Sequence, residues 1–111
     1  MDNKKDDTYF IERIRKDLMF IVRCTENIDL RSFSQNEILQ DSMMFRLIQI
    51  SENARKLSDT FRYNHPIVPW TAVFGLRNRI VHDYGNVDLT IVFDTLKTDI
   101  PDLLQTFEQE L

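Results

Sequence analysis

The chain has 111 residues, of which 42% are hydrophobic and 11% aromatic, and a formal net charge of −4. That length and apolar content suit one folded domain over residues 1–111, while the acidic balance excludes broad electrostatic attraction to nucleic-acid backbones. Two glycines and three prolines leave the many tight turns of a sandwich or barrel without their usual residues, so an all-α fold is expected.

Ile11, Ile14, Leu18, Ile21, Thr25 and Ile28 recur at alternating steps of three and four, which paints one apolar stripe on a helix from about Asp7 to Ile28. The single cysteine, Cys24, lies near that stripe as a core or boundary residue and cannot form an internal disulfide. The start MDNKKDDTYF lacks the apolar stretch of a secretory signal, and charges interrupt every hydrophobic run well short of the ~20 residues of a membrane helix. A soluble, cytoplasmic protein is expected. Ser32-Phe33-Ser34 is read as punctuation, after which Asn36 or Ser34 can cap a new helix.

The second periodic run passes through Phe45, Leu47, Ile48, Ile50, Ala54, Leu57 and Phe61 and predicts a helix from about Asn36 or Asp41 to Thr60. Met43 and Met44 are read as packing or an oligomer face. Pro66 and Pro69 then break helicity, each lacking an N–H and biasing its predecessor toward extended geometry, and Pro69 suits the first position of a third helix. Trp70, Val73, Leu76 and Ile80 give that helix its buried face, and Gly85-Asn86 is a plausible stop. Asp88 is placed to cap a fourth helix, with Val87 and Val92 as a hydrophobic staple. Leu89, Val92, Phe93, Leu96, Ile100, Leu103, Leu104 and Phe107 keep helical phase through Pro101, which is expected to kink or restart that helix. The expected architecture is an antiparallel, up-down bundle of four to five helices.

The densest polar segment is Arg77, Asn78, Arg79, His82, Asp83 and Tyr84. On an ideal helix Asn78 and His82 share a face and Arg79 can pair with Asp83, but Arg77 and His82 diverge by about 140°. Either the helix unwinds near His82 or a second copy of the chain supplies the partner. Metal-free RNA cleavage through the 2′-hydroxyl needs a base, an acid and a cation for the developing phosphorane charge, and one histidine cannot readily be both base and acid. Two copies of this helix across a two-fold axis would bring two histidines and two phosphate-gripping guanidiniums into one cleft, so a homodimer is expected. The bland alternative is an Arg79–Asp83 surface ion pair and a histidine that merely ends a helix.

The segment IVPWTAVFGLRNRIVHDYGNVD resembles the signature region of HepT-like proteins of the HEPN superfamily, with Arg77, His82 and Tyr84 at that family's motif positions. DSMMFRLIQISENARKLS and DIPDLLQTF resemble its second and last core helices, although Ser51-Glu52-Asn53 stands where many relatives carry Gly-Glu-Ala, a change that can alter close helix packing. The resemblance implies a metal-independent endoribonuclease, the toxin of a toxin–antitoxin module whose antitoxin is a minimal nucleotidyltransferase. It implies that Arg77 and His82 are catalytic and that Tyr84 accepts AMP from the antitoxin; the leading reading has Arg77 bind phosphate and stabilise charge, His82 act as general acid or base, and Asn78 orient. AMP on Tyr84 would add bulk and negative charge beside the other groups. The rival reading is a non-catalytic helical adaptor that docks a nucleotidyltransferase or helps bind nucleotide.

The remaining candidates have structural readings. His65 precedes Pro66 in the breaker loop and is expected to be a loop residue, and Trp70 to be a packing anchor rather than a base-stacking surface. The basic groups Arg13, Arg15 and Lys16, and Arg55, Lys56 and Arg62, are read as solvated helix faces. No His/Cys spacing suggests zinc, no carboxylate cluster magnesium and no Gly-rich loop nucleotide, so no metal or cofactor is expected.

Overall fold

The computed structural model describes residues 5–80 and 87–111, and all regular structure among them is helical. The first helix, α1 (Asp7–Thr25), starts where the Asp6 carboxylate accepts the Tyr9 N–H. Its stripe falls as predicted, with Ile11, Ile14, Leu18, Ile21 and Thr25 all buried. It ends three residues before the expected Ile28, where Lys97 donates to the orphan carbonyls of Thr25 (2.7 Å) and Glu26 (3.4 Å).

Ser32-Phe33-Ser34 is not a break. A short helix, α2 (Leu30–Ser34), forms there, capped by the Asp29 carboxylate on the Ser32 N–H, a bond that also holds the Asp29 pKa below its ordinary value. Phe33 is fully buried and drives that docking. Asn36 caps α3 (Glu37–Arg55) through the Leu39 N–H.

The expected run of α3 to Thr60 is cut at Arg55 by a cap the periodicity hides. Ser58 accepts the Phe61 N–H to start α4 (Asp59–Asn64), while its own N–H and hydroxyl donate to the Asp7 carboxylate at the head of α1 (2.8 and 2.7 Å). His65 closes α4, its ring stacked 4.2 Å from Phe61 and its Nδ1 2.8 Å from the Phe61 carbonyl, so it is a loop residue with a packing task. Trp70 donates its indole N–H to the His65 carbonyl and meets Phe61 and Phe107 edge-on, the anchor role expected of it.

Pro69 is the N-cap of α5 (Trp70–Phe74) rather than its first residue. A 3-10 turn (Gly75–Arg79) follows directly. After the undescribed residues, the Asp88 carboxylate caps α6 (Leu89–Asp94) through the Thr90 and Ile91 N–H groups, with Val92 buried and Val87 packed on the core. A π turn (Thr95–Asp99) joins α6 to α7 (Ile100–Glu110). The helix therefore runs through Pro101 without restarting: the wider turn accommodates a residue that cannot donate to the carbonyl of Lys97 and whose ring would crowd it.

Asp7 meets Ser58 and Asp17 meets Arg46, so α1 and α3 run antiparallel; Arg15 reaches Glu108 while Lys97 reaches Thr25, so α1 and α7 do likewise. Between these three lie Ile14, Leu18, Ile21, Met43, Leu47, Ile50, Ile100 and Phe107, each fully buried and each stabilising the fold by roughly 1.5–3 kcal/mol of transfer free energy before entropy is charged against it. Cys24 is a half-buried boundary thiol. The prediction fails on the outer flank of α3. Phe45 and Ile48, placed in the core stripe by periodicity, are 55% and 36% exposed, and with Ile38 (85%) they form an uncovered apolar line.

Candidate functional site

Arg77 and Asn78 sit on the 3-10 turn, not on a regular α-helix, and the reason lies in α3. The hydroxyl of Ser51, fully buried, donates to the Phe74 carbonyl at 2.7 Å, and the Arg55 guanidinium approaches the same oxygen at 3.5 Å. In an α-helix that carbonyl would take the N–H of Asn78. With the Ser51 hydroxyl sharing that oxygen, the backbone tightens at Gly75 to i→i+3 bonding, while buried Leu76 and Ile80 hold the turn to the core. The ideal-helix angles used above for Arg77, Asn78 and Arg79 therefore do not apply.

Gly75 is not what permits the change. Its φ is −83°, and an added Cβ would meet nothing nearer than the Asn78 amide at 3.9 Å, an ordinary contact. The departure from α geometry comes from a hydrogen bond supplied by a neighbouring helix.

Arg77 points along the outer edge of α3, its guanidinium 3.6 Å from the Glu52 carboxylate, with the two side chains 48% and 42% exposed. A pair so open to solvent contributes about 0–1 kcal/mol, so an incoming phosphate can displace Glu52 at little cost. Arg79 meets Asp99 of the π turn at 3.8 Å, an equally exposed and weak contact between the two irregular turns. Between them lies a cleft of about 200 Å³, floored by Val73, Leu76, Ile100 and Leu103, smaller than the usual small-molecule site. His82 and Tyr84, with the Asp83 once considered for Arg79 and the Gly85-Asn86 stop, lie outside the described residues. Sequence reasoning missed Glu52 and Ser51 as the neighbours of Arg77 and of its turn. The signal was there in the departure from Gly-Glu-Ala, but packing alone was read into it.

Among the described residues no group of three or more His, Cys, Asp or Glu side chains could hold a metal ion, and no helix is long and apolar enough to cross a membrane.

Residues 14–110 match the family model described as Ribonuclease HepT-like. The chain belongs to that family. A Methanocaldococcus jannaschii protein named "Putative RNase" is 28% identical, the alignment covering 96% of this chain and 97% of that one. A "Putative RNase" of Caldanaerobacter subterraneus subsp. tengcongensis is 28% identical over 85% of this chain and 84% of its own. A "Probable ribonuclease HepT" of Thermococcus cleftensis is 27% identical over 96% of both. No solved structure matches the chain.

Proposed function

We propose that this chain is a metal-independent endoribonuclease, the toxin of a toxin–antitoxin pair, acting as a homodimer in the cytoplasm and silenced by AMP transfer to Tyr84 from a nucleotidyltransferase. The observation that carries the reading is Arg77: an exposed guanidinium on a turn bonded to α3, paired among the described residues with a weak partner, Glu52, within the stretch that matches the ribonuclease family. Arg77 grips the scissile phosphate and stabilises its added charge. One histidine at position 82 takes the 2′-hydroxyl proton as O2′ attacks phosphorus; the P–O5′ bond breaks, and a second histidine, the partner copy's, protonates the leaving oxygen. The products are a 2′,3′-cyclic phosphate and a 5′-hydroxyl end. Asn78, next to Arg77 on the same turn, orients the phosphate.

The homodimer is supported by the apolar line Ile38, Phe45 and Ile48, which lies on the same outer flank of α3 that leads to Glu52 and Arg77. A second copy covering that line would bring its own site residues beside these, as a two-histidine mechanism requires.

The test is purified, unmodified protein with structured RNA in excess EDTA, beside His82→Ala and Arg77→Lys. Cleavage that survives the chelator, disappears in His82→Ala and falls steeply in Arg77→Lys, which keeps charge but loses the planar fork, supports the enzyme. No cleavage by wild type favours the adaptor. Incubation with the nucleotidyltransferase, ATP and magnesium should then add AMP by intact mass in wild type but not in Tyr84→Phe; AMP mapped elsewhere refutes the regulatory role of Tyr84.

A further inference from the structure

Between α1 and the C-terminal turns of α3, beside the face that carries Glu52, lies a second polar cleft of about 340 Å³. Lys5, Arg13 and Lys56 supply its positive charge, Gln49 and Asn53 its amides, and Tyr9 a hydroxyl; no carboxylate lines it. Two observations mark it as more than a solvated face. Asn53 is 6% exposed, and among the described residues its Nδ2 has no hydrogen-bond partner, an expensive condition for a buried donor unless something else takes the bond. The Tyr9 hydroxyl accepts from the Lys5 ammonium at 3.2 Å, and that bond, reinforced by the charges of Lys5 and Arg13, holds the Tyr9 pKa below its ordinary value, the mark of a positive local field in a chain of net charge −4.

We infer that this cleft is a phosphate-binding subsite, filled by a phosphodiester of the same RNA strand whose scissile bond lies at Arg77. A tetrahedral oxyanion matches a lining of cations and amide donors without acids. Glu52 and Lys56 stand one turn apart on α3, about 5–6 Å between Cβ atoms, so one strand can pass both within about one or two nucleotides. Single-strand binders commonly use such a basic track beside the reacting site. The phosphate site stands on its own geometry; that a strand fills it rests on the ribonuclease reading.

The experiment reads binding without cleavage, so its failure is separate from failure of the enzymatic reading. A fluorescent 2′-O-methyl oligoribonucleotide, which lacks the attacking hydroxyl, is titrated by anisotropy at several salt concentrations into wild type, Arg13→Gln, Lys56→Gln, Asn53→Leu and the control Arg31→Gln. Arg31 is an exposed cation of α2 outside the cleft. Arg13→Gln and Lys56→Gln should each weaken binding about three- to tenfold and flatten the salt slope by about 1. Asn53→Leu should weaken it at unchanged slope, and Arg31→Gln should leave slope and affinity near wild type. In parallel, inorganic pyrophosphate should shift the side-chain amide resonances of Gln49 and Asn53 and compete with the oligonucleotide. If pyrophosphate moves those amides while Arg13→Gln binds the oligonucleotide like wild type, the strand is refuted as occupant and a free phosphate compound takes its place. If Arg13→Gln and Lys56→Gln match Arg31→Gln and the Asn53 amide ignores pyrophosphate, the subsite is refuted altogether.

Discussion

Replacing Ser51 tests whether the turn that carries Arg77 is imposed by α3. The Ser51 hydroxyl is fully buried and donates at 2.7 Å to the Phe74 carbonyl, which also opens the 3-10 turn and has the Arg55 guanidinium 3.5 Å away. Ser51→Ala removes a buried bond worth about 0.5–1.5 kcal/mol net and leaves a small void, so a loss of about 1–2 kcal/mol is expected. For a domain of this size that corresponds to a fall in Tm of roughly 4–8 °C. Ser51→Gly should cost about 1 kcal/mol more, because glycine adds its own penalty inside a helix. Thermal and urea unfolding measure both, and RNA cleavage at a temperature where each variant is folded should fall with them as the Arg77 turn loosens. If Ser51→Gly proves as stable as wild type, α3 at this point requires closeness rather than a hydroxyl, and the turn does not depend on the bond.

Gly75→Ala should stabilise the protein by about 0.4–1 kcal/mol in urea unfolding, since its φ is already ordinary and the space is open; destabilisation would mean that the turn uses glycine's freedom. Glu52→Gln should tighten binding of uncleavable RNA several-fold at low salt by freeing Arg77, and unchanged affinity would place the phosphate elsewhere. Arg46→Met should cost about 3 kcal/mol at neutral pH, because it strands the buried Asp17 carboxylate that Arg46 holds at 2.6 Å, and the double variant with Asp17→Leu should recover much of that loss. Phe45→Glu, at a position 55% exposed, should leave the fold intact within about 0.5 kcal/mol but yield a monomer by ultracentrifugation with cleavage abolished; a dimer that persists would move the interface off this flank.

The parts of the fold legible in the sequence are those fixed by a single local pattern. The α1 stripe, the Asn36 and Asp88 caps and the packing anchor Trp70 are all written in spacing or in one side chain's chemistry, and each falls where expected. What could not be read depends on a second segment. Phe33 turns Ser32-Phe33-Ser34 from a break into a helix because a core exists for it to enter, and Ser58 cuts the predicted long helix because Asp7, far away in the chain, is there to receive its N–H. Phe45 and Ile48 keep helical phase with the core, but phase alone does not tell a residue facing its own core from one on an uncovered flank.

The site divides the same way. Adjacency puts Arg77 and Asn78 side by side, yet their turn is set by a bond from Ser51 to the Phe74 carbonyl, twenty-three residues apart in the chain. A regular helix was the correct default for LRNRI, since nothing within the segment forbids it: Gly75 has ordinary angles and no proline interrupts. The α-helix gives way because its Phe74 carbonyl finds a donor outside the helix, and once that bond is spent on α3 the next residues take the tighter turn. The orientation of Arg77 is thus a tertiary property, and Ser51, standing where the resemblance leads one to expect glycine, is its visible trace in the sequence.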